Sequence, residues 1–249
     1  MPIIVTTGGP IVPGAERKPI LTIIQEVCAS PGIGVAVPAA VFASARREHV
    51  EMRTLAIEVA ERIAFDTHDW VALKTLGTLT GDGTTMEWAL PVDYRRMLKK
   101  GGLYAGGCKL RQITDAEQWL ATQSASVAVS LPGEWIIIGE EISVRPPIPT
   151  ATEAQFWYVS SRYALDANGV QKTTFTADTD CFRLDARLLK LAMIWQWKES
   201  HGQPYAEDMA NYETALALLA GGDRGSGILT SGVARTPGSA TGSYPWPLG

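Results

Sequence analysis

Residues 181–220, CFRLDARLLKLAMIWQWKESHGQPYAEDMANYETALALLA, constrain the fold most, because they read as two helices joined by a short, well-marked turn. In the first half Leu184, Leu188, Leu191 and Trp195 recur at helical spacing, and Leu189, Ile194 and Trp197 widen that stripe. A helix so patterned is buried on more than one side. Asp180 suits the N-cap, Asp185 the positive first turn, and Lys198 the far end, where the dipole favours a cation. Gly202 offers a left-handed stop and Pro204 the first turn of a second helix, with Tyr205, Met209, Tyr212, Leu216 and Leu219 as its stripe. The expectation is an αα-hairpin with wide apolar faces at the centre of a helical body.

The chain of 249 residues, 46% hydrophobic, has ample material for a core, so disorder throughout is excluded. With 19% charged residues and a formal net charge of -4, no overall field draws it onto nucleic acid or anionic lipid, although a local basic patch is compatible with that total. Cys28, Cys108 and Cys181 are odd in number and far apart, as expected of reduced thiols and not of a zinc site. The first residues, MPIIVTTGGPIVPG, lack a basic start and are cut by Pro10 and Pro13, which argues against a signal or transit segment. No apolar run approaches membrane-spanning length.

In chain order, residues 1–18 are rich in Gly and Pro and read as an extended N-terminal arm. A short helix over 20–29 places Ile20, Ile23, Ile24 and Val27 on one face, and a second helical pattern runs from 40 to about 70. The charges along that second pattern are read as a solvated face. From residue 71 the period turns towards alternation. Strands are expected over 71–80 and 84–90, with Gly81-Asp82-Gly83 as their hairpin turn. Pro91 is expected to open a helical turn through Tyr94 and Met97, stopped by Gly101-Gly102. A capped helix follows around 113–119, with Thr114 or Asp115 as the cap. Residues 134–144 read as a strand broken by Gly139, and 154–163 as another. Asn168-Gly169 gives the strongest hairpin signal of the chain. Residues 223–249 are Gly/Ser/Thr/Pro-rich and too poor in apolar area to fold alone, ending in Tyr244-Pro245-Trp246-Pro247-Leu248 as a candidate interface arm.

The fold class this implies is α+β: a helical bundle with a C-terminal αα-hairpin, an inserted antiparallel β-rich region, and extended arms at both ends. The body spans 19–222, with helices in 20–70 and 181–220 and the β-rich region in 71–178. Leu184, Leu188, Leu191, Trp195, Tyr205, Met209, Tyr212 and Leu216 are the expected hairpin core.

Chemistry is sparse. His49, His68 and His201 stand alone, with no second ligand at metal spacing. Asp178 and Asp180 precede an apolar helical run and are read as the acids a helix N-terminus wants, in preference to a cation site. The glycines of 221–227 lack the strand, helix and Lys-Ser or Lys-Thr pair of a phosphate loop. Ser130-Leu131-Pro132-Gly133 lacks the flanks of a nucleophile elbow. Trp195 and Trp197 read as core or as an aromatic platform. No catalytic residue, metal or cofactor is expected.

Several stretches resemble a known family together. Phe175-Thr176-Ala177-Asp178-Thr179-Asp180, Leu188 through Lys198, Gly202 through Asp208, and Tyr212 through Leu216 resemble the closing segment of tailed-bacteriophage head-to-tail connector proteins, the adaptor or head-completion family. Phe156-Trp157-Tyr158-Val159-Ser160-Ser161 resembles that family's strand ending in Tyr-Val-Ser-Lys, and Trp88-Ala89-Leu90-Pro91-Val92-Asp93-Tyr94 its Leu-Pro-x-Asp-Phe turn. Leu21 through Glu26 resembles its opening helix, and His68-Asp69-Trp70-Val71-Ala72-Leu73 its Asp-Trp-x-x-Leu step. The resemblance covers about residues 20–224. The chain departs from it in an insertion near 31–43, the proline-rich start and the aromatic C-terminal arm.

The resemblance implies a virion structural protein and not an enzyme. It implies a dodecameric ring beneath the portal protein, joined to tail or nozzle proteins, passing DNA through its lumen without sequence-specific binding, assembled in the host cytoplasm and away from membranes. A mildly acidic protomer suits such a lumen, since clustered cations would hold the phosphates. The competing classes are a phage-encoded cell-wall hydrolase, with Trp157, Trp195 or Trp197 as a sugar platform, and a soluble regulatory binding module. A hydrolase requires two carboxylates across one cleft, and no such pair stands out in the sequence.

Overall fold

The computed structural model describes residues 5–7, 17–124 and 133–223. Residues 5–7 of the expected N-terminal arm form a strand, β1 (Val5–Thr7), as three β-branched residues favour. The expected C-terminal arm beyond residue 223, with Tyr244, Pro245, Trp246, Pro247 and Leu248, lies outside the described residues. Helix α1 (Ile20–Cys28) buries Ile20, Ile23, Ile24 and Val27, the face its spacing predicts. Helix α2 (Arg47–Arg62) turns Met52, Ala56, Val59 and Ala60 inward and continues as a π-turn over Ile63–Thr67. It begins later than the sequence pattern suggests. Residues 41 and 42 are held instead by hydrogen bonds to Asp178.

The middle of the chain builds two sheets. Its strands are β2 (Lys74–Thr80), β3 (Glu87–Ala89), β4 (Tyr94–Met97), β5 (Leu103–Ala105), β6 (Cys108–Lys109), β7 (Arg111–Gln112), β8 (Glu134–Ile138), β9 (Glu141–Arg145) and β10 (Glu153–Ser160). Helix α3 (Ala116–Ser124) lies between β7 and β8, with Asp115 Oδ1 accepting from Glu117 N at 2.9 Å. One sheet runs β1-β2-β10-β5-β6, and β4 pairs with β10 on the same side as β5. The other runs β3-β9-β8-β7.

Strands β2 and β3 therefore belong to different sheets, which corrects the hairpin expected at Gly81-Asp82-Gly83. Asp82 instead accepts from Thr84 N and Thr85 N, and Gly81 N donates to Thr152 O, turning the chain away from β2. The helical turn expected after Pro91 is likewise corrected to a turn at 91–94 followed by β4. The two sheets face each other across Trp88, Trp135, Ile142 and Val144 on one side and Leu79, Leu103, Phe156 and Tyr158 on the other. Trp119 of α3 packs with Ile113 and Ile136 in a separate small cluster.

A third sheet, ordered β12-β11-β13, comprises β11 (Ala164–Leu165), β12 (Gln171–Lys172) and β13 (Cys181–Phe182). Asn168-Gly169 turns β11 into β12, with Gly169 at φ +83°. Helix α4 (Ala186–Ser200) then buries Leu188, Leu189, Ala192, Met193, Ile194 and Trp197. Its N-cap is Asp185, whose carboxylate accepts from Leu188 N at 2.7 Å, and not Asp180. Gly202 has φ +65° after its last turn, and α5 (Ala206–Asp223) follows.

The class is α+β, but the expected helical bundle closed by an αα-hairpin is corrected. Among the described residues the framework is three sheets with five helices. On α5 Ala215 alone is buried, while Met209, Tyr212 and Leu216, like Tyr205 just before the helix, are half-buried, so the two C-terminal helices do not make a core by themselves. The helical core is completed by Val159 at the end of β10 and by Tyr163, Phe175 and Phe182 around the small sheet.

Candidate functional site at the joint of helices and sheets

Three clusters of bonded polar groups lie where the helical core meets the sheets. The turn at 91–94 leaves Val92 exposed and carries Asp93 inward, where it is 8% exposed. Its carboxylate accepts from Tyr158 Oη at 2.9 Å and from Ser160 Oγ at 2.7 Å, and its carbonyl accepts from Ser161 N at 2.7 Å. Burial, then the bond to Asp93, pushes the Tyr158 phenol well above its usual range. Tyr158 therefore stays protonated at neutral pH and donates to Asp93.

A second cluster surrounds the step from α2 to β2. Trp70 Nε1 donates to Ile63 O at 2.7 Å across the π-turn. Asp69 pairs with Arg96 at 2.6 Å and accepts from Lys99 N at 3.3 Å. Burial raises the Asp69 pKa, but Arg96 and the Lys99 N–H outweigh it and hold the carboxyl below its ordinary value. Asp223, at the end of α5, accepts from Val71 N at 2.9 Å and lies 3.1 Å from His68 Nε2. Arg183 ties the small sheet to this step: Nη2 donates to Ala72 O and Nη1 to Arg162 O, both at 2.5 Å. Burial lowers the Arg183 pKa to about 10, so it stays charged at neutral pH.

The third cluster is the loop at 176–180. Asp178 Oδ1 accepts from Val41 N and Phe42 N at 3.0 and 3.2 Å. Asp180 Oδ2 accepts from Thr176 N, Ala177 N and Lys172 Nζ at 2.6, 3.0 and 2.7 Å. The carbonyls of both aspartates receive the first N–H groups of α1, Leu21 N on Asp178 and Ile20 N on Asp180. The loop thus replaces a side-chain cap for α1, whose own N-cap position is Pro19. Both carboxylates are engaged by N–H donors, which explains the two acids without a cation.

What this arrangement does chemically is hold elements together. His49 lies 2.8 Å from Ser44 Oγ, and His201 stacks on Trp197 with ring centroids 4.1 Å apart. Among the described residues no group of three or more His, Cys, Asp and Glu could hold a metal ion. No described helix is long and apolar enough to cross a membrane.

Of the hairpin residues singled out from sequence, Leu184 and Leu188 are buried, while Leu191 and Trp195 are half-buried. Trp195 stands against Tyr205 and Tyr212 with centroids 6.3 and 6.2 Å away. Of the three candidate platform tryptophans Trp157 is 46% exposed, and Trp197 is 5% exposed. Sequence reasoning missed Arg183 and Arg96. A cation between Phe182 and Leu184 in an otherwise apolar stretch was the available signal for the first.

No protein-family model matches the chain, and no curated protein matches it.

Proposed function

We propose that this chain is a structural protein of the tailed-phage neck: a head-to-tail adaptor that joins a ring beneath the portal, extends the DNA channel and presents a surface to the tail. The observation that carries the reading is the joint itself. The stretches that resemble the adaptor family are scattered between Leu21 and Leu216, yet their polar residues bond one another: Asp93 of one binds Tyr158 and Ser160 of another, and the Asp178–Asp180 loop seats the start of α1. Short motifs that meet in space are what a shared framework requires, whereas chance similarities would fall at unrelated places. A role without turnover is part of the same proposal.

Mass photometry of the protein mixed with the portal protein of its virion tests the reading. A portal-bound species heavier by a ring of copies is expected, and unchanged masses on mixing contradict it. So does reproducible hydrolysis of peptidoglycan that one acidic substitution abolishes.

A further inference from the structure

Charge is unevenly distributed along this chain. Residues 94–112, YRRMLKKGGLYAGGCKLRQ, hold six of the 22 basic residues and none of the 26 acidic ones, so the remainder carries a formal charge of -10. The fold gathers the segment on one side of β10: β4 pairs with its C-terminal half, β5 with its N-terminal half, and β6 hangs on β5 as the sheet edge. Two of the cations have partners, Arg96 with Asp69 and Arg111 with Glu134 at 3.2 Å. Lys99, Lys100 and Lys109 are exposed and make no ion pair among the described residues.

Beside them is a groove of about 400 Å³ lined by Gly101, Gly102, Lys109, Arg111, Gln112 and Trp135. A Cβ at Gly102 would stand 2.5 Å from Lys109 Cε, so the glycine lets the lysine stem cross the strand closely. Trp135 is 1% exposed, and its Nε1 has no hydrogen-bond partner among the described residues. Tyr104, 48% exposed with Lys109 Nζ 6.0 Å from its ring centroid, adds an aromatic face on the same ribbon.

We propose that this groove and ribbon bind the phosphates of a nucleic-acid backbone without reading sequence. Lys109 and Arg111 supply charge at the groove, Lys99 and Lys100 further charge along the chain, and Tyr104 a face on which a base can stack. Edge protection explains a lysine on β6 but not six cations without one acid over residues 94–112. The inference goes beyond the neck reading and stands without it, since one protomer contains the whole site; within that reading the ribbon has to lie off the channel, because clustered cations there would hold passing DNA.

Fluorescence anisotropy with short fluorescein-labelled duplex and single-stranded DNA, plus a competition arm with inorganic phosphate, tests it. Three or four neutralised phosphates predict that duplex binding weakens by roughly 40- to 150-fold between 50 and 200 mM salt. The exposed triple variant K99E/K100E/K109E, melting like the parent, is expected to lose at least about tenfold in affinity. No saturable binding at low salt, or equal binding by the variant, overturns the proposal. Displacement of DNA by millimolar phosphate reassigns the groove to the free anion and overturns the backbone assignment. If the variant instead loses a salt-sensitive self-association seen by sedimentation while neither protein binds DNA, the ribbon meets a second copy and the proposal is wrong. A protomer that binds DNA but never joins a portal would sink the neck reading alone.

Discussion

Trp195 and Trp197 stand two positions apart on α4 and meet different surroundings. Trp197 is 5% exposed, donates from Nε1 to Ile33 O at 3.2 Å and carries His201 on its face. Trp195 is half-buried between Tyr205, Tyr212 and the Arg62 guanidinium, 5.9 Å from its ring, with no acceptor for Nε1 among the described residues. Truncation to alanine is therefore expected to cost about 3–5 kcal/mol at Trp197 and roughly half that at Trp195, read by urea unfolding. Equal costs would refute the difference in packing. The aspartates carry a pH prediction. At Asp180 burial pushes the pKa up, but Lys172 and the N–H groups of Thr176 and Ala177 outweigh it, and the folded value lies below the ordinary one. Lys18 and Lys190 lower Glu26 in the same direction. Such groups contribute stability that is fully present above the ordinary carboxylate pKa and lost as pH falls through the depressed folded value. The melting midpoint should hold from neutral to about pH 5 and drop below about pH 4, and Asp180→Asn should lower the neutral midpoint and flatten that drop. Sequence placed Asp180 at the N-cap of α4 because two acids precede the apolar run. Local spacing does not say which acid is followed by helical backbone, and Asp185 takes the role.

At the scale of elements, signals that depend on a few neighbouring residues were legible and long-range pairings were not. The face of α1, the left-handed stop at Gly202 and the Asn168-Gly169 turn follow from periodicity and backbone conformation alone. Gly81-Asp82-Gly83 looks like a hairpin turn for the same local reasons, yet β2 finds β10 more than seventy residues away and β3 finds β9. Gly81 has another task. A Cβ there would lie 2.4 Å from Pro149 O and 2.5 Å from Ile148 O, so the loop passes directly beneath a backbone. Gly81→Ala is expected to destabilise by about 1–3 kcal/mol through overpacking. Gly139, with φ +64° in the β8–β9 turn and open space around its Cβ, should accept asparagine at a cost below about 1 kcal/mol. Thermal melts of the two variants check the contrast, and a Gly81→Ala protein melting like the parent contradicts the close approach.

Across the whole molecule, two large apolar cores are joined by few covalent crossings and many polar ones. Val159 on β10 belongs to the helical core, and its neighbour Tyr158 to the core between the sheets. Around that strand, Asp93 binds Tyr158 and Ser160 while Arg183 binds the carbonyls of Ala72 and Arg162. The short stretches recognisable in the sequence include both partners of the Asp93 network but not Arg183, whose contacts form only once residues 72, 162 and 183 are brought together. If these bonds couple the cores, the protein unfolds as one unit. Far-UV circular dichroism, dominated by the helices, and tryptophan fluorescence, which includes Trp88 and Trp135 between the sheets, should then share one midpoint. Arg183→Met keeps an apolar stem but leaves two partly buried carbonyls without their charged donor, a loss of roughly 2–4 kcal/mol. Ala72, Tyr163, Phe182 and Leu184 beside these bonds all belong to the helical core, so the loss falls on that core where it borders the Asp93 turn. The variant should therefore separate the two transitions, the helical core melting first while the core between the sheets keeps its parental midpoint. A variant whose two probes stay coincident at the parental midpoint would show that Arg183 does not couple the cores. A coincident pair shifted together would place its contribution in overall stability alone.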